Sequence, residues 1–251
     1  MMDVNIPSSG FTVKPGKVGS TAFLGDPLSH DLVKSLTAVR PAITELWAAW
    51  HRSAGALDLL QDLDQLQRLH VINRTSQDLA PIAQLHNLRI LSVDSTTTFA
   101  VDATNWPLLE ELSVAWGRGL RGLEAAQNLK TLRVSYWKDR DLTLLKLVPQ
   151  LQELWLTMGS VYSLYGIAAC TSLAKLSLAY LTKLDDFEPI RTLKNLEWLS
   201  IDACKRFTNV KPLAALPQLK SLSLDNLGRI DSLTQLASCK RLKNVFFADR
   251  R

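Results

Sequence analysis

The chain has 251 residues, 47% of them hydrophobic, and a formal net charge of +5. It contains no run of about 18 consecutive apolar residues, which argues against a transmembrane helix. The start, with Asp3 and no apolar core, lacks the pattern of a signal peptide, and the three cysteines show no paired spacing. We therefore expect a cytoplasmic protein with reduced thiols. The positive charge raises nucleic acid as one class of partner.

Residues 1–42 contain no repeat, and we expect them to form an N-terminal cap made of a loop and a short helix. Proline and glycine residues predict the loop, with one short strand at Phe11–Val13. Ser29 is a candidate N-cap of the helix, which Pro41 ends. Such a cap would cover the first apolar edge of the array that follows.

From residue 43 onward a six-residue strand motif recurs, with apolar residues at its first, fourth and sixth places. At intervals of 20 to 23 residues, the motif opens at Ile43, Leu66, Leu88, Leu109, Leu129, Leu151, Leu173, Leu196, Leu219 and Leu242. The alternation predicts a strand with one buried face, and apolar residues at every third place after it predict a 3-10 return. We expect the array to fill 43–251 without a separate C-terminal cap.

Three of the returns share a proline: DLAPIAQLHNL (78–88), DFEPIRTLKNL (186–196) and NVKPLAALPQL (209–219). A fixed φ and a missing N–H suit the first turn of a short helix. With these returns the chain resembles the bacterial internalin-like and phosphatase-regulator-like leucine-rich repeats of about 22 residues. The resemblance implies an α/β solenoid, a leucine-rich repeat horseshoe. Its parallel β-sheet would line the concave face, with 3-10, short helical or irregular returns on the convex face.

The ninth place of each unit departs from that family, in which an asparagine there bonds the turn backbones. Here the ninth place holds Arg74, Thr96, Gly117, Trp137, Gly159, Leu181, Cys204 and Leu227. We expect the turns to satisfy their backbone groups in another way. Irregular geometry is expected in the two short units that open at Leu88 and Leu109.

Side chains between the leucines of each motif are predicted to line the concave face, where they can bind a partner. The predicted centre is Trp155, Trp198, Arg133, Glu153 and Lys175, and the further candidates are Glu111, Trp116, Tyr136, Met158 and Tyr180. Exposed Trp, Tyr and Arg on a rigid sheet are typical of protein-binding hot spots. The alternative, in which the aromatic side chains only cover neighbouring strands and turns, stays open.

The predicted binding face carries seven basic and nine acidic side chains, which argues against a groove for nucleic acid. His30, His51, His70 and His86 lack metal-ligand spacing, and no nucleotide-binding or nucleophile motif is present. We predict no catalytic residue, metal site or cofactor.

The sequence thus predicts a non-enzymatic cytoplasmic module that binds a protein partner, with no nucleic acid and no membrane, and a monomer rather than a homodimer. Three uses stay open. The first is a dedicated inhibitor or immunity-type protein, and the second is a bacterial effector or adaptor acting on a host or regulatory protein. The third is a structural homodimer formed through the uncapped C-terminal edge.

Overall fold

The computed structural model describes residues 11–16, 19–95, 100–117, 119–230 and 232–248. Asp3 and Thr96, which enter two of the sequence predictions, lie outside these ranges. The chain divides into two compact units, Met1–Asn128 and Leu129–Arg251. Each unit has its own run of parallel strands and its own buried leucines.

The first unit is built from eight strands in the part of the chain described. They are β1 (Phe11–Pro15), β2 (Ser20–Leu24), β3 (Ile43–Trp50), β4 (Arg68–Asn73), β5 (Ile90–Ser95), β6 (Val101–Asp102), β7 (Glu111–Ala115) and β8 (Leu120–Arg121). β1 pairs with β2 antiparallel, and β2, β3, β4, β5 and β7 follow one another in parallel. The returns are 3-10 segments at Leu57–Leu63, Ala80–Gln84, Ala103–Asn105 and Leu123–Ala125.

The N-terminal part of this unit is a hairpin followed by a helix. Helix α1 (His30–Ala38) begins after Ser29, whose hydroxyl oxygen accepts a hydrogen bond from the backbone N–H of Leu32 at 3.3 Å. This N-cap confirms the sequence prediction. The sequence predicted one short strand here, whereas the structure has two. The second of them, β2, pairs with β3 and so belongs to the parallel sheet.

The two short units differ from their neighbours, as the spacing predicts. Their returns contain β6 and β8, which form a separate two-stranded ladder in which Val101 pairs with Leu120. The 3-10 segments of these returns are three residues long, at Ala103–Asn105 and Leu123–Ala125. A three-residue segment also occurs at Ile167–Ala169 in a repeat of 22 residues, so the paired strands and not the segment length set the two short units apart.

The second unit has six strands in its described part, all parallel and in sequence order. They are β9 (Thr131–Trp137), β10 (Glu153–Gly159), β11 (Lys175–Ala179), β12 (Trp198–Asp202), β13 (Ser221–Asp225) and β14 (Asn244–Ala248). The returns contain 3-10 segments at Thr143–Leu147, Ile167–Ala169, Glu188–Thr192, Lys211–Ala215 and Thr234–Ser238. Pro81, Pro189 and Pro212 each lie in the first turn of such a segment, as predicted.

The core of the second unit consists of the repeated leucine positions. Leu154, Leu176, Leu199 and Leu222 pair from strand to strand and are all buried. Burying one such side chain contributes about 1.5–3 kcal/mol, and the same contribution recurs in each repeat. The predicted orientation of the leucines is therefore confirmed.

β14 differs from the strands before it in burial. Its fourth- and sixth-place residues, Val245 and Phe247, are 52% and 49% exposed, whereas Leu222 and Leu224 at the same places of β13 are buried. Among the described residues, β14 pairs only with β13.

Candidate protein-binding surface

Side chains at the third and fifth places of each motif project from the side of the sheet opposite the leucines, here called the open face. In the second unit the third-place row runs Thr131, Glu153, Lys175, Trp198, and the fifth-place row runs Arg133, Trp155, Ser177, Ser200. Trp155 and Trp198 are half-buried. The sequence therefore assigned these side chains to the correct face.

Two indoles form the centre of this open face. Trp155 on β10 and Trp198 on β12 have ring centroids 5.2 Å apart, with their planes inclined by 33°. They lie diagonally across β11, where Ser177 pairs with Trp155 and is small enough to leave room between the strands. An aromatic pair of this kind contributes about 0.5–1.5 kcal/mol beyond its buried area. Each ring therefore helps to hold the other.

A row of alternating charges borders the indoles. The Glu153 carboxylate accepts a hydrogen bond from Lys175 Nζ at 2.7 Å, and its other oxygen lies 3.7 Å from Arg133 Nη2. The guanidinium carbon of Arg133 is 5.5 Å from the centroid of the Trp155 ring, within cation–π range. Trp155 is thus held between Arg133 on one side and Trp198 on the other.

The indole N–H of Trp155 is buried and has no hydrogen-bond acceptor among the described residues. A buried donor left unpaired costs about 1–3 kcal/mol. Local rules of this kind are broken most often at functional sites, where stability is given up for a particular arrangement.

The fold has relatives among solved structures. Internalin InlF from Listeria monocytogenes superposes with a TM-score of 0.51 at 18% identity, covering 92% of this chain and 87% of its own. The functional domain of InlJ from the same organism has a TM-score of 0.58 at 16% identity, with coverages of 88% and 51%. The Toll–Spätzle complex of Drosophila matches with a TM-score of 0.57 at 12% identity, with coverages of 90% and 36%.

The chain has a leucine-rich repeat fold. At these identities the likeness establishes the fold and not the function. The chain spans about half of the InlJ domain and about a third of the matched chain in the Toll–Spätzle complex. No family model matches the sequence, and no curated protein does.

Within this leucine-rich repeat fold, the second unit has a row of exposed side chains at the eighth place of its motifs. Tyr136, Met158 and Tyr180 are 55%, 39% and 48% exposed. Their backbones are left-handed, with φ of 61°, 59° and 55°. Bulky residues rarely adopt this conformation, which costs on the order of 1–3 kcal/mol. These three residues were predicted as candidates, but the spacing of the leucines in the sequence gives no indication that their backbones are left-handed.

The left-handed residue explains the unusual ninth places of the second unit. It turns the chain so that the next side chain enters the core, where Trp137, Leu181, Cys204 and Leu227 are buried. An apolar residue is suited to that environment, whereas an asparagine would need hydrogen-bond partners. At these four places an apolar anchor thus replaces the asparagine, whereas the ninth place of the repeat that opens at Leu151 is Gly159, which has no side chain.

In the first unit one asparagine does bond a turn, one place earlier than the family pattern. Asn73 at the eighth place is fully buried, and its Oδ1 accepts hydrogen bonds from the Thr75 N–H at 3.0 Å and the Thr75 hydroxyl at 2.7 Å. Its Nδ2 donates to Ser95 Oγ at 3.3 Å. The family pattern places the asparagine at the ninth position of the motif, so this role of Asn73 was not predicted. In β4 the strand continues to the eighth position, because no β4 residue before Asn73 has a left-handed backbone.

Two of the ten candidate residues lie in the first unit. Glu111 is half-buried on β7, beside Ile90 of β5. The prediction that Trp116 is an exposed residue of the binding face is wrong, because its side chain is only 7% exposed. Trp116 is therefore part of the buried set of the first unit. The other eight candidates lie in the second unit.

The described residues show no site for other chemistry. No group of three His, Cys, Asp or Glu side chains there is placed to hold a metal ion, and no helix there has the length and apolarity to cross a membrane. Burial raises the pKa of the Cys170 thiol to about 11 and that of Cys204 to about 12, and it also raises the pKa of Cys239. The three cysteines are free and buried, so they act as small apolar residues.

Proposed function

We propose that the chain is a non-enzymatic recognition module that binds another protein through the open face of its second unit. The observation that carries the proposal is the Trp155–Trp198 pair, which places two large indoles on the side of the sheet that the repeat does not bury. Tryptophan and arginine are the residues most enriched among binding hot spots. Cytoplasmic location and the absence of nucleic acid and membrane partners belong to the same proposal.

Pre-organisation supports this use of the surface. Arg133 lies over one side of Trp155, and Glu153 joins Arg133 to Lys175, so the side chains at the centre already contact one another in the free protein. Binding loses less side-chain entropy when the anchors are already held in place. Two cations and one carboxylate leave the centre with a net positive charge, which favours a partner carrying acidic groups at its contact.

The test is affinity capture from the native cell, with the wild-type chain compared with the Trp155→Ala/Trp198→Ala variant. We expect one protein to be recovered by the wild type and lost from the variant. The matched control is Tyr165→Ala, which removes an exposed aromatic side chain outside the strands and should leave the recovery unchanged. Equal recovery by the double variant and the wild type would overturn the proposal.

The identity of the captured protein distinguishes the two uses of this surface. A toxin or an enzyme that loses its activity on binding indicates a dedicated inhibitor or immunity-type protein. A host or regulatory protein that keeps its activity indicates an effector or adaptor.

A second proposed function is a homodimer through β14. It is favoured by the exposure of Val245, Phe246 and Phe247 on one strand. Exposed apolar strands pair readily with other strands. Light scattering across a concentration series tests it, since a monomer at the highest concentration removes this candidate.

A further inference from the structure

A cavity of about 540 Å³ opens on the open face of the first unit, at the ends of strands β2 to β5. Its wall and floor include Phe23, Trp47, Ala49, His70, Ile72 and Ser92. Pockets that bind ligands have volumes of about 300–1,000 Å³ and are mainly apolar with a few polar groups. This cavity has that size and that composition.

Small residues beside large ones create the space. Ala49 on β3 pairs with Ile72 on β4, and Trp47 pairs with His70 two residues earlier. The methyl group of Ala49 therefore lies low between the taller side chains of Trp47 and Ile72 on the same face of the sheet. Gly25, which lacks a side chain, borders the cavity at the end of β2.

One wall of the cavity is a row of three nearly parallel rings. Trp47 stacks on His70 with centroids 3.8 Å apart and planes inclined by 11°, and Phe23 lies 6.3 Å from Trp47 with planes inclined by 18°. The Trp47 indole N–H donates a hydrogen bond to Glu45 Oε1 at 2.9 Å, which fixes the orientation of the ring. The wall is thus aromatic, and Trp47 is held in position before anything binds.

The charges at the cavity are compensated within the protein. The Asp94 carboxylate at its rim binds Arg74 through two hydrogen bonds of 2.7 and 3.1 Å. Glu45, next to the ring row, lies 3.8 Å from Arg68. Among the residues that line the cavity, an occupant with a full charge would therefore meet no unpaired opposite charge, and the nearby Lys14 ammonium lies over the Phe23 ring, 5.6 Å from its centroid. His70 Nε2 lies 3.6 Å from Glu45 Oε1, so the polar group of the lining left to meet an occupant is the hydroxyl of Ser92.

We propose that this cavity binds the side chain of a tryptophan or tyrosine presented by a protein partner. A neutral ring matches the aromatic wall and the compensated charges of the lining, and its one polar edge matches the Ser92 hydroxyl. Phe23, Trp47 and Ile72 are each half-exposed at the mouth, so the cavity is open on one side. An open mouth suits a side chain whose backbone stays outside. Its lining residues all lie in the first unit, and none of them belongs to the surface around Trp155 and Trp198.

The probe is N-acetyl-L-tryptophanamide, added to the full chain and followed by amide and methyl NMR shifts. We expect saturable shifts at Ala48, Ala49 and Ile72, with a dissociation constant on the order of 1 mM. N-acetyl-L-lysinamide, which has a charged side chain, should cause no saturable shift. The absence of saturable shifts with the tryptophan probe would overturn the proposal.

Ala49→Leu fills the floor of the cavity and should raise the dissociation constant of the probe by about tenfold or more. The matched control is Ala179→Leu, the same change at the seventh place of a strand in the second unit, which should leave the dissociation constant unchanged. Should Ala49→Leu fail to fold, Ile72→Ser at the exposed wall should weaken the probe roughly fivefold. Unchanged affinity in the folded variants would count against the site.

Free indole decides between a partner side chain and a free small molecule. We expect indole to bind no more tightly than the amide probe, because the peptide groups remain outside the mouth. Tighter binding of indole by about tenfold would overturn the assignment to a protein side chain.

Discussion

The open faces of the two units carry similar residues in different arrangements. In the first unit, Trp47 and His70 lie on adjacent strands in one row and stack face to face at 3.8 Å. In the second, Trp155 and Trp198 lie two strands apart and meet diagonally at 5.2 Å. The strand ladder is parallel in both. The neighbours of each indole therefore decide whether the face forms a cavity beside Ala49 or an indole pair across Ser177.

The strand ends differ between the units as well. β4 ends at Asn73, which is buried and hydrogen-bonded to its turn, while the strands of the second unit end near exposed left-handed residues such as Tyr136 and Tyr180. A polar residue can serve as the anchor in the first case because its hydrogen bonds are satisfied. In the second case an apolar ninth residue is the anchor, and the eighth is left to face solvent.

The largest expected effect would test whether buried leucines at the fourth place of the motif stabilise both units to the same extent. Leu176→Ala and Leu199→Ala in the second unit, and Leu69→Ala in the first, should each lower the free energy of unfolding by about 2–5 kcal/mol, because each leaves a cavity at a fully buried site. Urea unfolding measures the change. An unaltered midpoint for any one of them would mean that the leucine does not contribute to the core of its unit.

The next largest effect is on partner binding, and it tests whether the two indoles on the open face of the second unit carry the affinity. Trp155→Ala or Trp198→Ala should each reduce the binding free energy of a partner captured by the second unit by about 2 kcal/mol or more, since hot-spot indoles contribute on this scale. Isothermal titration calorimetry measures the affinity. Tyr165→Ala, which removes an exposed aromatic side chain outside the strands, serves as the control, and a loss of equal size there would contradict the assignment to the two indoles.

A smaller effect would test the left-handed row. Tyr180→Asn should raise the free energy of unfolding by about 0.5–1 kcal/mol, because asparagine tolerates positive φ better than tyrosine and the lost side chain is half-exposed. Ile72→Asn, at an exposed position of β4 without positive φ, should give no such gain. Thermal unfolding of both variants makes the comparison, and equal shifts would remove strain as the cause.

The smallest effect is a pH dependence located in the first unit. Burial lowers the pKa of His70 below its ordinary value; Glu45 opposes this shift, Arg68 adds to it, and Glu111 also opposes it. The unfolded chain binds a proton at this histidine near pH 6.5, and the folded chain binds it only at lower pH. The contribution of His70 to stability is therefore complete above about pH 6.5 and is lost as the pH falls through the lowered pKa.

Urea midpoints at pH 7.5 and 5.5 test this sign. Acidification should destabilise the wild type more than His70→Gln, which keeps a polar side chain but cannot take up the proton. The other three histidines are the same in both proteins, so their contributions cancel. A larger loss in the variant would contradict the direction of the shift.

Much of the fold could be predicted because the signal repeats. Alternation at the leucine places predicts which side chains of β10, β11 and β12 are buried, and the shared prolines predict the first turns of three returns. A single residue that breaks the pattern was not predictable in this way. The burial of Trp116, the hydrogen bonds of Asn73 and the hairpin of β1 and β2 depend on neighbours that the repeat does not specify.

The sequence alone determined the leucine-rich repeat architecture and the buried places of the regular repeats, because the burial of apolar side chains at a fixed period is a local property that recurs in each repeat. Only the tertiary structure decided how the exposed residues meet. The contact of Trp155 with Trp198, the stack of Trp47 on His70 and the cavity over Ala49 arise between strands about 22 residues apart or more. These contacts depend on the size of each side chain and on its neighbours in space, and neither follows the repeat of the sequence.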